Sequence, residues 1–387
     1  KTPLEQPINE VMTQQPSVMP VTASAYDAML AMAAKGIRHL LLVDDEGRLA
    51  GVISERDLFA LQRTGLGQVR RSIDAAENAF DLKAALRDVH HTAFVMLAQG
   101  VAAAQLTRFI STLNDAITDR VIHLNLHNHS LDDIEWTWLA FGSEGREEQT
   151  VSTDQDNGIV FLLPEGADLE ATRNRLLAFA RDVNRDLDTI GFPLCKGEIM
   201  ASNPKWCLTL REWKQQFTQW VMTPKPEALL NATIFFDFRP LYGRHDLADQ
   251  MHTHLFAEST NSPGFQRMLA ENALTATPPL GTFRDFSTVA DTHGRPCIDL
   301  KISGARLFVD AARVLAITHG VSDANTDERL RKTAHHRGGA GNDLDALLEA
   351  FHFIQLLRLR HQHQEIGQGR AGDNLLPVKE LNQIDRR

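Results

Sequence analysis

Cysteine is scarce in this chain: Cys195, Cys207 and Cys297 are the three in 387 residues. They are odd in number and scattered without metal-ligand spacing, which argues against a disulfide framework or a paired-cysteine zinc site and fits buried, reduced thiols in the cytosol. Long apolar runs are missing too. No stretch reaches the roughly 20 residues that cross a bilayer, and no signal-peptide pattern is visible, so no membrane partner and a cytoplasmic location are expected. Positive charge is also in deficit: 40 Lys and Arg against 50 Asp and Glu leave a net charge of -10. An acidic surface lacks the counterion release that drives binding to a nucleic-acid duplex, whereas a mononucleotide carried with magnesium stays compatible. What the chain does have is length and an ordinary globular composition, 43% apolar and 23% charged over 387 residues, enough for two or three cores. It begins at Lys1 without a methionine, which reads as a piece of something longer.

The most informative run is FGSEGREEQTVSTDQDNGIVF, residues 141–161. Trp136, Trp138, Leu139, Ala140 and Phe141 read as a short buried strand that enters Gly142 and Ser143 and then a polar helix start. Such a turn offers backbone N–H groups and a hydroxyl to an anion, and a triphosphate suits it. Eleven residues after Ser143 comes Asp154, then Gln155 and Asp156, followed by the strand-like run Ile159, Val160, Phe161, Leu162 and Leu163. On an extended backbone Asp154 and Asp156 point to one side, where two carboxylates repel unless a cation lies between them. Magnesium is the expected cation, because it takes hard oxygen ligands and substrate phosphates together. A bare Asp-x-Asp is weak evidence, since most such pairs are solvated turn residues.

Coupled to Gly-Ser at this spacing, the pattern resembles the nucleotidyltransferase superfamily that includes DNA polymerase β. With GFPLCKGEIMASNPKW (residues 191–206) and IFFDFRPLYG (residues 234–243), it is similar to the bacterial signal-transduction nucleotidyltransferases that join cystathionine-β-synthase-type (CBS) modules to a catalytic and a helical substrate-binding domain. The resemblance covers almost the whole chain and extends, more remotely, to PII uridylyltransferase and glutamine synthetase adenylyltransferase. It implies an α+β multidomain fold: a CBS repeat at 1–70, a helical linker at 71–130, a polymerase-β-like domain with a mixed sheet at 131–245 and a helical bundle at 246–387.

The residues agree with these divisions. Residues 7–64 read as a helix bearing Ala25, Ala28, Met29 and Met32 on one face, then strand, turn, strand and helix through IRHLLLVD and LAGVISERDL. Gly51 and the Ser54-x-x-Asp57 ending resemble a single CBS repeat, in which that pair commonly holds the ribose of an adenine nucleotide. The plainer reading is that Ser54 caps the helix containing Asp57. CBS repeats pair, and one is present here, so either an upstream repeat or a homodimer through the module is expected. Between 72 and 129, apolar positions such as Leu82, Leu86, Val89 and Ala93, then Phe109, Leu113 and Ile117, recur at helical spacing. Trp206, Trp213, Phe217 and Trp220 form an aromatic face that reads as core. The pairs His90, His91 and His361, His363 fall on different helix faces, which argues against metal sites.

Asp237, alone among Ile234, Phe235, Phe236 and Phe238, needs a partner if buried: an ion pair with Arg239 or Arg244, or a metal. The resemblance calls for a third carboxylate on a later strand, and Asp237 is its candidate. In the C-terminal part, FVDAARVLAITHG and DLDALLEAFHFIQLLRLRHQ have bundle-helix spacing, separated by Gly338, Gly339 and Gly341. Asp299, Lys301 and Arg313 stand out there, read as mostly solvated or structural.

The resemblance therefore implies that Asp154 and Asp156 hold two magnesium ions, that Asp237 helps bind the second or takes the proton from the attacking hydroxyl, that Gly142 and Ser143 grip the terminal phosphates, and that Arg146 and Lys205 neutralise departing pyrophosphate. The reaction is transfer of a nucleoside monophosphate from an NTP to a hydroxyl, with a protein acceptor as in the uridylyltransferases or adenylyltransferases and regulation through the CBS module. A small-molecule acceptor is the variant within the enzyme class. The alternative is a catalytically silent, nucleotide-sensing regulatory protein that binds a partner. One departure bears on that choice: the uridylyltransferase pattern has Gly-Arg-Gly-Glu where this chain has Gly145-Arg146-Glu147-Glu148.

Overall fold

The computed structural model describes residues 7, 10, 12–55, 66–223, 233–281, 286–336 and 342–382, which fall into two units, Lys1–Ala75 and Ala76–Arg387. In the first unit, β1 (Val18–Pro20) lies parallel to β2 (His39–Val43), and β2 pairs antiparallel with β3 (Leu49–Ser54). Helix α1 (Ala25–Lys35) starts where Ser24 and Asp27 form a reciprocal capping box and stops at left-handed Gly36. Its face buries Ala28 and Met32 against Leu40. Helix α2 (Leu66–Asp74) closes the unit. The helix expected after Ser54, with Asp57 on it, lies outside the described residues, as do Gly338, Gly339 and Gly341.

The second unit opens with α3 (Ala79–Ala98) and α4 (Ala103–Leu126), long helices whose apolar stripes include Leu82, Leu86, Val89, Phe109, Leu113 and Ile117, as the spacing predicts. A four-stranded mixed sheet follows in the order β6-β5-β4-β7. Strand β4 (Trp136–Phe141) is central and buried along its whole length, antiparallel to β5 (Asn157–Phe161) on one side and to β7 (Phe238–Gly243) on the other, while β6 (Cys207–Thr209) runs parallel to β5. A strand covered on both faces reads as a continuous apolar run, which is why β4 is legible without alternation.

A single turn, α5 (Gly142–Gly145), leaves β4. Helix α6 (Leu169–Ile190), capped by Asp168, buries Leu176, Phe179, Ala180, Val183 and Leu187 and packs with α3 and α4. Helix α7 (Leu210–Met222) places Trp213, Phe217 and Trp220 in the core together with Phe141, Phe235, Phe236 and Phe238; the Trp213 indole donates to the Ile159 carbonyl at 3.0 Å. The aromatic face is therefore core.

Helices α8 (Asp246–Thr260), α9 (Pro263–Ala273), α10 (Arg306–His319), α11 (Thr326–His336) and α12 (Asn342–Gly367) make up the helical C-terminal region. It also contains a small antiparallel sheet that helical periodicity does not reveal, with order β10-β9-β8: β8 (Val289–Ala290), β9 (Pro296–Asp299) and β10 (Leu375–Pro377). Strands of two to four residues are too short to carry a period, and β10 reaches β9 across some 75 residues of chain, a pairing that only tertiary packing of Ile298, Leu357 and Leu376 establishes. Among the described residues, no helix is long and apolar enough to cross a membrane.

Candidate active site

Asp154 and Asp156 stand on extended chain just before β5, and alternation sends the intervening Gln155 inward. The buried amide of Gln155 donates from Nε2 to the carbonyls of Asn184 at 3.0 Å and Phe192 at 2.8 Å. Asn184, on α6, donates from Nδ2 to Gln155 Oε1 at 2.7 Å and Asn157 Oδ1 at 3.0 Å, while its own Oδ1 accepts from Ser202 N–H. Asn157 Oδ1 also accepts from Ala201 N–H at 2.8 Å. This network of three amides ties the acid pair to α6 and to the loop carrying Cys195. Such networks are rigid when every member is satisfied.

One carboxylate oxygen from each acid and the Cys195 sulfur lie within 4.8 Å of one another. Among the described residues this is the one group of three or more His, Cys, Asp or Glu placed to share an ion. Burial, and after it the neighbouring Asp154 charge, pushes the Asp156 carboxyl up to about 7, with the Cys195 thiol bonded to it. Cys195 itself is raised to about 11, by burial and then by Asp156. Among the described residues neither acid has a salt-bridge partner. Two close carboxylates with no counter-cation are a donor set that a hard divalent ion fits.

Gly142 is the first residue of α5 and needs to be glycine twice over. Its φ is +56, and a Cβ there would stand 3.2 Å from Asp156 Oδ2. At Gly145 a Cβ would meet the Asp237 carbonyl oxygen at 2.1 Å, so the turn can lie against β7 only without a side chain. Ser143, half-buried, makes no side-chain hydrogen bond among the described residues. Its hydroxyl and Asp154 line a cavity of about 200 Å³ whose other wall includes Lys301, Arg306, Arg313 and Arg358 from the C-terminal region. A free hydroxyl and Asp154 in one cleft, with Asp156 beside Asp154 and a cationic wall opposite, can hold a phosphorylated substrate together with a metal.

Residues 87–227 match the family model described as "Putative nucleotidyltransferase DUF294", residues 263–387 match "Putative nucleotidyltransferase substrate binding domain", and residues 8–63 match "CBS domain". The chain carries DUF294 nucleotidyltransferase domains and a CBS domain. No curated protein matches it. The acid pair and Ser143 fall within the first DUF294 match, and the cationic wall falls within the substrate-binding match.

At the DUF294 site, Asp237 has arginines as its partners. Asp237 ends up beside β4 but not beside the acid pair's donor cluster: it is fully buried, and its two oxygens accept four hydrogen bonds from three arginines. Arg146 Nη1 donates at 2.8 Å, Arg313 Nε and Nη2 at 3.0 and 2.6 Å, and Arg329 Nη1 at 2.6 Å. These charges hold its carboxyl far below the usual range despite the burial that opposes them. A carboxylate so saturated has no lone pair left for a metal, so Asp237 is an ion-pair centre. Its partners are not the neighbours Arg239 and Arg244, which turn to Asp115 and to Asp246.

Arg146 is likewise a brace: it lines the cleft, but Nε donates to Glu148 at 2.8 Å and Nη1 to Asp237. Lys205 sits exposed on the turn Pro204–Trp206 and does not line the cleft. In the CBS unit, Ser54 ends β3 half-buried, opposite His39. Sequence reading missed the role of Cys195, which sits against Asp156, and the Gln155, Asn157 and Asn184 amides. Polar residues in apolar stretches were the available signal. Glu144 was missed as well: it is buried, and its carboxyl is pushed up to about 8 by that burial and then by Asp115.

Proposed function

We propose that this protein transfers a nucleoside monophosphate from an NTP to a hydroxyl and releases pyrophosphate. The observation that carries this reading is the meeting of Ser143 and Asp154 at one cleft, with Asp156 beside Asp154 and neither acid in a salt bridge among the described residues. In the transfer, an acceptor hydroxyl oxygen bonds to the α-phosphorus and gives up its proton to water, while the bond to the bridging oxygen breaks and pyrophosphate leaves with that electron pair. Asp154 and Asp156 would hold magnesium, which when bound neutralises phosphate charge and orients the α-phosphate. The Ser143 hydroxyl donates to a phosphate oxygen. The amide network keeps both carboxylates just before β5 without rearrangement during the reaction, and such preorganisation is where rate enhancement originates. Asp237 takes no part in proton transfer, because its lone pairs are committed to guanidinium groups.

The resemblance to PII uridylyltransferase and glutamine synthetase adenylyltransferase supports a protein acceptor, in a bacterial signalling setting. The CBS module would then serve as the regulatory adenine-nucleotide sensor and as the contact of a homodimer. The silent-regulator alternative leaned on Glu147. Its φ of 57 is the left-handed conformation that favours glycine, yet the side chain is exposed, points toward Arg239 at 3.9 Å and does not line the cleft. That leaves the phosphate site open and favours the enzyme.

The test is pyrophosphate release from ATP, UTP, GTP and CTP with magnesium, with cell extract as the acceptor source, for wild type and for Asp154→Asn/Asp156→Asn. Release that vanishes in the double variant supports the transferase. NTP binding without release by either protein would sink it in favour of the silent regulator.

A further inference from the structure

Arg358 differs from the other arginines around the cleft. It lies on α12, only 8% exposed, yet among the described residues it forms no salt bridge. Nε donates to Asn374 Oδ1 at 2.8 Å and Nη1 to Gln355 Oε1 at 2.6 Å, both neutral, and Nη2 makes no hydrogen bond among the described residues. Its neighbours are all accommodated: Arg146, Arg313 and Arg329 share Asp237, Arg306 and Arg313 share Asp310, and Arg146 also holds Glu148. Four of these five guanidinium groups thus share three carboxylates in salt bridges, and Arg358 is the one left outside that pairing among the described residues. Burial lowers its pKa to about 10, and the charge of Arg146 acts in the same direction.

Lys301 stands on the π-helical turn Lys301–Ala305, which leads into α10. Asp299 fixes the turn by accepting from the backbone N–H groups of Lys301 and Ile302, both at 2.9 Å. The Lys301 ammonium is exposed, has no salt bridge among the described residues, and is near enough to favour ionised Asp156. Lys301 and Arg358 therefore line the same cleft as Ser143 and Asp154, and among the described residues neither forms a salt bridge, although Glu148 and Asp299 lie near enough to favour charged Arg358.

A buried guanidinium held in place by two neutral acceptors is preorganised for an anion, and its planar fork matches phosphate. We propose that Arg358 and Lys301 seat the terminal phosphates of the nucleoside triphosphate, the part that departs as pyrophosphate. The C-terminal domain thereby supplies the leaving-group site that sequence reading gave to Arg146 and Lys205. The assignment rests on the transferase reading for its ligand and on the cleft geometry for its residues.

The experiment is calorimetric titration of inorganic pyrophosphate, without divalent ion, into wild type, Lys301→Gln, Arg358→Lys and Arg358→Gln, with NTP as competitor. Binding should weaken at least tenfold in Lys301→Gln and in Arg358→Gln, less in Arg358→Lys, and NTP should displace pyrophosphate. Lys301→Gln should keep the wild-type melting temperature, so its loss of binding would not reflect unfolding. No pyrophosphate binding by wild type, equal binding by wild type and Lys301→Gln, or binding that NTP does not displace would overturn the assignment. That last result would mark an anionic acceptor's site instead. Turnover separates the two readings: wild type that binds pyrophosphate through these residues but releases none from any NTP keeps the seat and loses the transferase. Turnover with unaltered pyrophosphate binding in the variants does the reverse.

Discussion

Asp156 and Asp237 flank the same end of β4. The Asp156 carbonyl accepts from Phe141 N–H at 2.8 Å on one side, and Phe238, next to Asp237, pairs with Phe141 on the other. Their electrostatic surroundings are opposite. Asp156 shares its space with another acid, and its pKa rises to about 7; Asp237 is enclosed by three arginines, and its pKa falls far below the usual range. Desolvation raises both, half-buried Asp156 and fully buried Asp237 alike, so it does not account for their opposite shifts; the sign of the neighbouring charge does. The first arrangement is unstable by itself and suits an added cation. The second is complete, and it joins the turn after β4 to α10 and α11.

The comparison can be broken by substitution. Asp154→Asn/Asp156→Asn should abolish pyrophosphate release, by a factor of at least about 10³, while the metal-free protein melts at or above the wild-type temperature, because a repulsion has been removed. A large drop in melting temperature would show the pair to be structural. Asp237→Asn should do the opposite and destabilise by about 3–5 kcal/mol in urea unfolding, since three buried guanidinium groups lose their counter-charge. If that variant unfolds like wild type but loses magnesium affinity in titration, Asp237 belongs to the metal site after all.

A half-buried histidine beside β7 predicts a pH effect. His252 stacks on Phe238 at 3.9 Å between ring centroids, its Nε2 lies 3.1 Å from the Phe238 carbonyl, and its Nδ1 is buried without a partner. Burial is the main cause that lowers its pKa to about 4, with Arg329 adding to it. The unfolded chain takes up this proton below about pH 6.5, whereas the folded site refuses it until about pH 4. Stability should therefore fall across that window as pH drops, by at most about 3 kcal/mol. Urea unfolding of wild type and His252→Phe at several pH values reads the difference; parallel curves would remove His252 as the cause.

The smallest effect belongs to Glu147→Gly. Relief of the left-handed backbone is offset by the greater chain entropy of glycine, so stability should change by less than about 1 kcal/mol and turnover should persist. Loss of turnover would restore a role for the glutamate at the site.

Much of this was legible along the chain because it rests on local physics. The buried strand β4, the Gly-Ser turn, the alternation that aligns Asp154 with Asp156 and the periodic stripes of α3, α4 and α6 each need only neighbours within a few residues. Even the burial of Asp237 could be inferred from the four large apolar residues around it. Its partners could not. Arg313 and Arg329 lie 76 and 92 residues away, and any of the chain's arginines satisfies charge neutrality on paper. The same holds for Cys195 against Asp156, for Asn184 beneath the acid pair and for Arg358 across the cleft. The sequence by itself determined that two acids and the hydroxyl of the Gly-Ser turn come together. Which cations complete a carboxylate and which are left for a ligand was decided only in the tertiary structure, because electrostatic pairing depends on distance in space and carries no periodicity along the chain.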